Sequence, residues 1–420
     1  MTRNRRHGWL ACVLCIATGL AQAQDVAIVG ARVVPAPDAE VIASGTVVVR
    51  DGRIVAVGPS NRIDVPDGID VIDGNGTTLL AGFWNSHVHF LTPDMREPAA
   101  IPPDALDASL NSMLTRWGFT TVFDISSIGG AAAAMRARIE TGEIRGPDIL
   151  YVDTPFFPEG GTPSYVRDLF EEMQAPSAEV ATADEARARA AAQLAAGANG
   201  VKLFAGAILG GALDVLPMDV EVARAIVEEA HRAGKPAFAH PTNVAGLEVS
   251  LASGVDILAH TTPVSGPWDE ALVQRLREAG MALTPTLTLF DHELRRENAP
   301  QEVIDRFLGA ATQQVRVFHA AGGDILFGTD VDFIQQYDTR LEFELLQASG
   351  LDWRAILATL TTTPARRFGQ GDRKGRIAEG LQADLVLLDG DPADDVAAFS
   401  RVRQVLRAGK VLHRAEGGAP

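Results

Sequence analysis

An alternation limits the fold of this chain more than anything else in it. Eight short apolar runs, at 82–89, 121–124, 149–152, 200–204, 237–240, 257–260, 282–284 and 325–329, are separated by longer stretches of mixed polarity. The runs are too short for helices and carry the Val, Ile and Phe that suit a pleated, buried strand. Helical spacing follows most of them. The stretch 184–196 is rich in Ala and Arg with one apolar face, and 219–233 sets Val222, Ile226 and Ala230 on one face before Gly234 stops it. Strands alternating with helices predict a parallel sheet, and eight such units over about 290 residues suit an α/β fold of the (β/α)8, TIM-like barrel type. An open doubly wound sheet is the alternative, but no G-x-G-x-x-G loop follows a strand to favour it.

The two ends of the chain read differently. Val26-Ala27-Ile28-Val29, Thr46-Val47-Val48-Val49 and Ile54-Val55-Ala56-Val57 are β-branched runs, with Asp51-Gly52 as a tight hairpin turn between the last two. Near the other end, 383–388, 402–406 and 410–412 repeat the pattern, with a turn at Ala408-Gly409. Two β-rich ends around a different middle predict a small β-sandwich domain assembled from 24–80 and 372–420, flanking a barrel over 81–371.

The first residues read as a secretory signal over 1–23: Arg3, Arg5 and Arg6, an apolar run from Trp9 to Leu20, then Ala21-Gln22-Ala23 as a small-x-small cleavage site. The expected location is across the inner membrane, in the periplasm. Arg5-Arg6 leaves the twin-arginine route open beside the general one. Both cysteines, Cys12 and Cys15, lie inside this signal, so the mature chain has no thiol for a disulfide, a metal or a nucleophile. A lipid-modified cysteine is the competing reading, and the residues before each cysteine match a lipobox poorly. The net charge is −17, and losing the three signal arginines makes the mature chain more acidic still. No basic stripe is present, which argues against nucleic acid or an anionic membrane as partner.

Barrels of this kind carry their working residues at the C-terminal ends of the strands. Here the first run ends in His87-Val88-His89, where alternation puts both imidazoles on one side; the fourth carries Lys202; the fifth and sixth end in His240 and His260; Asp330 follows the eighth. Taken singly each has an ordinary explanation. A strand histidine is more often a core residue, and an Asp after Gly328-Thr329 can cap a helix. An unpaired lysine in the apolar run Gly200-Val201-Lys202-Leu203-Phe204 is harder to dismiss, because burying an ammonium is costly. Five strand ends delivering six potential ligands to one rim point to a shared metal site, with zinc as the default ion and manganese, cobalt or iron as alternatives.

In sequence order these residues resemble the amidohydrolase superfamily. Ala81-Gly82-Phe83-Trp84-Asn85-Ser86-His87-Val88-His89 looks like its opening metal motif, and Lys202, Phe238-Ala239-His240-Pro241, Ile257-Leu258-Ala259-His260 and Phe327-Gly328-Thr329-Asp330 match the later ones. The stretch 375–386 resembles the re-entry into that superfamily's β domain. Within the superfamily the chain is similar to the branch of imidazolonepropionase-like proteins and Xaa-Pro dipeptidases. The resemblance implies two divalent metals, one held by His87, His89 and Asp330 and the other by His240 and His260. It implies that Lys202 is carboxylated by carbon dioxide and bridges both. A water between two metals would ionise near neutral pH, with Asp330 as general base and acid. One residue departs from the motif: Asn85 stands where the family usually has Asp.

The expected activity is hydrolysis of an amide or peptide C–N bond in a small substrate, a dipeptide or an N-acyl amino acid. The alternatives are a one-metal deaminase or cyclic-amide hydrolase, a lactone or ester hydrolase, and an inactive relative. Deaminases of this type follow the fifth-strand histidine three residues later with Glu, where this chain has Asn243. Substrate-contacting candidates are Tyr165, Thr242, Asn243, Thr261 and His292, with Thr262 beside them and the Gly/Pro-rich loop 156–165 as a candidate substrate loop. His231, His319 and His413 read as non-ligands. A homo-oligomer is open.

Overall fold

The computed structural model describes residues 25–210 and 214–415. The expected export signal, with Cys12 and Cys15, lies outside them.

Strands from both ends of the chain form one eight-stranded sheet. The N-terminal part supplies Val26–Val33, Ile42–Arg50, Arg53–Pro59, Asp70–Asp73 and Thr77–Ala81, and the C-terminal part Leu385–Asp389, Val402–Arg407 and Lys410–Arg414. The seam is antiparallel, Thr77–Ala81 against Leu385–Asp389, with Leu385 opposite Ala81. Both predicted hairpin turns use consecutive left-handed residues, Asp51-Gly52 (φ 48° and 75°) and Ala408-Gly409 (φ 48° and 73°). That pairing matches the twist of the flanking strands. Alternating Val26, Ile28, Val47, Val49, Leu385 and Leu387 build the core of this part.

The middle of the chain holds eight parallel strands in two ladders. Phe83–Val88, Phe119–Asp124 and Asp148–Tyr151 form one; Val201–Phe204, Ala237–His240, Ile257–Ala259, Ala282–Thr284 and Asp324–Ile325 form the other. Parallel bridges Phe156–Leu203 and Val88–Val331 join the ladders at both edges, in the TIM-like arrangement. The eighth strand is shorter as a ladder than the sequence suggested. Residues after Ile325 leave the ladder but hydrogen-bond individually, Leu326 to Leu283 on one side and Ser86 to Phe327 on the other. A Cβ on Gly328 would sit 2.3 Å from Thr284 Cγ2 and 2.7 Å from His87 Cβ, so only glycine lets this segment pass between its neighbours.

The helices lie where the pattern put them. Ala183–Ala195 starts under the Thr182 hydroxyl, and Val220–Arg232 starts under Asp219, which accepts from Glu221 and Val222. Inside the barrel, Phe123, Ile125, Val152, Phe238, Ile257 and Leu326 pack as a layer, and Phe368 lies against Phe123 and Trp84. Lys374 ties this region to the β part. Its ammonium lies 2.9 Å from Asp148, 3.4 Å from Asp384 and 3.1 Å from the Thr121 hydroxyl. These layers leave the opposite, C-terminal strand ends free to carry polar groups.

Candidate metal centre

Five of the six residues singled out in the sequence sit near or beyond the C-terminal end of a parallel strand, Lys202 lies within the fourth strand, and all are buried or nearly so. His87 and His89 face the same way across Val88. His260 and Asp330 adopt left-handed backbone (φ 95° and 59°), as do Thr242, Thr286 and Asp332 around the same rim. Such conformations cost free energy in non-glycine residues and persist where the surroundings impose them. Here they bend the chain off the strand direction as it leaves the sheet.

The rings and carboxylate converge. His87 Nε2 lies 3.1 Å and His89 Nε2 2.7 Å from Asp330 Oδ1, and His260 Nε2 lies 4.0 Å from Oδ2. His87, His260 and Asp330 bring their donor atoms within 4.8 Å of one another. The His240 ring stacks on Phe204 (centroids 4.7 Å, 13°) and meets His260 edge-on at 4.5 Å. Lys202, 1% exposed, comes in from the fourth strand.

Hydrogen bonding decides what these groups present to each other. His89 Nδ1 lies 3.1 Å from the Ser126 carbonyl, which can only accept, so Nδ1 carries a proton and Nε2 is the atom turned to Asp330, as a metal-ligating imidazole requires. At His260, Nδ1 lies 2.7 Å from the Thr286 hydroxyl, which itself donates to the Pro285 carbonyl at 2.8 Å. His260 therefore also carries its proton outward and turns a bare Nε2 inward. Burial pushes His87 down to about 4 and His240 and His260 well below the ordinary histidine value, so the rings are neutral. Burial acts to raise the Asp330 carboxyl, and His87 and His89 hold it down only when they carry a proton on Nε2; with bare Nε2 atoms facing it, a bound cation is what would keep Asp330 ionised. Both nitrogens of His87 and Oδ1 of Asp330 are sealed from solvent and lack hydrogen-bond partners among the described residues. Lone pairs meeting around a buried anion repel unless a cation sits among them. The donor set of imidazoles and carboxylate, with outer groups fixing ring orientation, fits a divalent metal. Lys202 adds to this: burial pushes its ammonium down to about 7, with Asp330 opposing.

Asn85, the departure from the usual motif, has a definite task. Its amide donates to the Thr329 hydroxyl at 2.8 Å and accepts from the His87 N–H at 3.2 Å, pinning the first strand to the turn that carries Asp330.

A cavity of about 550 Å³ opens over the centre. Of the substrate candidates, Tyr165, Thr242 and Thr261 line it, whereas Asn243 and His292 do not. Asn243 instead caps helix Val244–Ser253, accepting from Gly246. Thr262 holds the fold, donating its N–H to Gln314 and accepting from the Trp268 indole. His231 pairs with Asp256 and His413 with Asn111, away from the centre. The sequence reading missed Asp124, buried 4.0 Å from His89 Nδ1 and pushed up by burial to about 7. It also missed the wall made by helix Leu287–Arg296, which contributes Leu289, Phe290, Glu293 and Arg296. The signal was available in principle, since this helix follows the seventh strand and its first turns must lie at the rim.

Set beside known proteins, residues 78–412 match the pattern of the amidohydrolase family. Ochratoxinase from Aspergillus niger is 23% identical across 89% of this chain and 84% of that protein. Among solved structures, a candidate prolidase from Bifidobacterium longum superposes with a TM-score of 0.77 at 28% identity, covering 95% of this chain and 96% of its own. A Xaa-Pro dipeptidase with methionine bound in its active site superposes with a TM-score of 0.78 at 21% identity, covering 93% and 100%, a likeness of fold.

Proposed function

The chain belongs to the amidohydrolase family, and from that premise we propose that it is a metal-dependent enzyme that hydrolyses the amide or peptide bond of a small substrate, a dipeptide or an N-acyl amino acid. The observation that carries this reading is the convergence of the Nε2 atoms of His87, His89 and His260 on the Asp330 carboxylate, with His240 and Lys202 alongside.

In this reading His87, His89 and Asp330 hold one divalent metal and His240 and His260 a second, zinc by default. Bound there, the metals would polarise the scissile carbonyl and acidify a water. Lys202 would complete the set by adding carbon dioxide: its neutral amine attacks the carbon, the nitrogen loses a proton, and the resulting carbamate would supply anionic oxygen donors to the metal centre. An amine pushed to about 7 is unprotonated in large part at neutral pH, which supports that step. Asp330, ionised and aimed at the centre, accepts the proton of the attacking water and delivers it to the leaving nitrogen. Tyr165, in the cavity wall, keeps its proton at neutral pH as a phenol ordinarily does, and the nearby charges of Asp330 and Glu293 act to push its hydroxyl further up. It can therefore donate to an oxyanion. Deamination fits less well, because Asn243 cannot shuttle protons and is engaged in capping a helix. The names of the candidate prolidase and the ochratoxinase support the choice of an amide bond. Export with cleavage after Ala23 is part of the same reading, and N-terminal sequencing of the mature protein tests it.

The test is metal content per chain of the purified protein, with and without bicarbonate, alongside a panel of dipeptides and N-acyl amino acids. Two equivalents and bicarbonate-dependent activation are expected. Lys202→Ala should stay folded and lose the second metal and nearly all activity. Full activity in that variant would overturn the two-metal mechanism.

A further inference from the structure

Two pairs of aromatic rings flank the metal centre, one on the His89 side and one on the His260 side. Phe333, just past Asp330 on the segment that leaves the eighth strand, lies edge-on to His89 with ring centroids 6.5 Å apart. Tyr165, at the start of helix Ser164–Glu172, meets Phe333 at 5.4 Å and 69°. Phe290, on helix Leu287–Arg296, lies edge-on to His260 at 6.5 Å. Phe307, on helix Gln301–Ala320, meets Phe290 at 6.3 Å and 55°. The His87 ring sits between the other two imidazoles, 5.2 Å from His89 and 4.6 Å from His260. Each pair therefore belongs to one flank of the centre, and all four rings line the same cavity of about 550 Å³.

These rings are not spent on the core. Phe290, Phe307 and Phe333 are only half-buried, and Tyr165, 39% exposed, is the one aromatic among the large apolar side chains that stand exposed in the described residues. Apolar surface left wet in a concave site is surface that an apolar ligand group covers with a gain in free energy. Two rings set at a steep angle make a corner, and a third ring or a branched chain entering it can meet one edge-on while lying against the other. The charged groups at the end of helix Leu287–Arg296 face water instead: Arg296 is 57% exposed and paired with Glu293, and Glu297 is exposed.

Building on the amide-hydrolase reading, we infer that the two aromatic pairs are separate specificity subsites, one for each side of the scissile bond, so that the enzyme selects amides carrying an aryl or branched apolar group on both the acyl and the amine side. A carbonyl held at the metal centre sends one substituent toward Phe333 and Tyr165 and the other toward Phe290 and Phe307. An amide that is small on either side leaves one corner wet and gains less from binding on the way to the transition state.

The test is a two-by-two set on the metal-replete protein: N-acetyl and N-phenylacetyl groups on alanine and on phenylalanine, with Ala-Ala, Phe-Ala, Ala-Phe and Phe-Phe as the same square in free dipeptides. Wild type should show its highest kcat/KM on the compound bulky on both sides, with each added ring worth roughly 10-fold or more. Phe290→Ala should flatten the large-over-small ratio on one side of the bond, and Phe333→Ala the ratio on the other. Ratios are taken within one preparation, so a shared loss of folded protein cancels. No wild-type gain from bulk on one of the sides, variants that leave the ratios untouched, or both variants acting on the same side would overturn the two subsites while leaving amide hydrolysis standing. If wild type cleaves no member of either square, the amide-hydrolase reading fails and the inference fails with it.

Discussion

Thr286 touches no substrate and is no ligand, yet the orientation of His260 depends on it. The Thr286 hydroxyl sits 2.7 Å from His260 Nδ1, and its own proton goes to the Pro285 carbonyl. In Thr286→Val the shape is nearly kept and the acceptor is lost. The Nδ1–H of a buried imidazole is then unpaired, at a cost of about 1–3 kcal/mol. The ring can escape that cost by rotating or by moving its proton to Nε2, and either change removes the lone pair aimed at the centre. Metal binding must reverse the escape, so the cost falls on affinity. Outer groups of this kind are worth roughly 10- to 100-fold in metal affinity. Valine inherits the left-handed backbone of Thr286 (φ 47°) and its branched Cβ, so backbone strain changes little. Thr286→Ser keeps the hydroxyl and is the control. Competition between the protein and a chelator of known affinity measures the effect. The expected result is a 10- to 100-fold weaker metal in the valine variant and a change under about threefold in the serine variant. Unchanged affinity in Thr286→Val, or equal losses in both variants, would refute the argument that this hydroxyl sets the tautomer of His260.

Two further predictions concern the frame that holds the site. Lys374 is 1% exposed among Asp148, Asp384 and Thr121. Lys374→Ala leaves the buried Asp384 carboxylate without its cation and should cost about 3 kcal/mol in urea unfolding, part of which Asp384→Asn should restore in the double variant. A loss below about 1 kcal/mol would show that the pair is not coupled. Glu342 accepts from the N–H groups of Leu287 and Thr288 and from the Thr288 hydroxyl, yet burial pushes it from 4.5 up to about 7. The folded state then binds this proton more tightly than the unfolded chain does. The contribution of Glu342 to stability is complete below about pH 4.5 and is lost as pH rises to about 7. Relative to Glu342→Gln, wild type should lose up to about 3 kcal/mol across that window, and a constant difference between the two would contradict the assignment.

Much of this molecule is local in origin, and what is local is legible in a sequence. Asp51-Gly52 and Ala408-Gly409 specify hairpins because few residues tolerate two consecutive left-handed positions. Thr182, Asp219 and Gly234 mark helix ends through side-chain oxygens or conformational freedom that act within a few residues. The eight apolar runs and their helices follow from the periods at which each element buries a face. The six candidate ligands could be picked out because a parallel barrel sends every strand end to one rim, so position along each run stood in for position in space.

What depends on groups far apart in the chain was not legible. Nothing near His260 in sequence announces that Thr286 fixes its proton, or that Asn85 reaches Thr329 across 244 positions. Asn243 and Thr242 are neighbours, but the first turns away to cap a helix while the second lines the cavity, because the chain bends between strand and helix there. Glu293 looked like one acid on an amphipathic helix until the structure placed it in the wall of the cavity that holds the imidazoles. The sequence by itself determined which strands and helices form and which residue types arrive at the rim, since propensity, periodicity and turn chemistry operate over a few residues. Only the tertiary structure decided which lone pairs face each other, which protons point outward and which charge is left without a partner, since those depend on distances of a few ångströms between segments hundreds of residues apart.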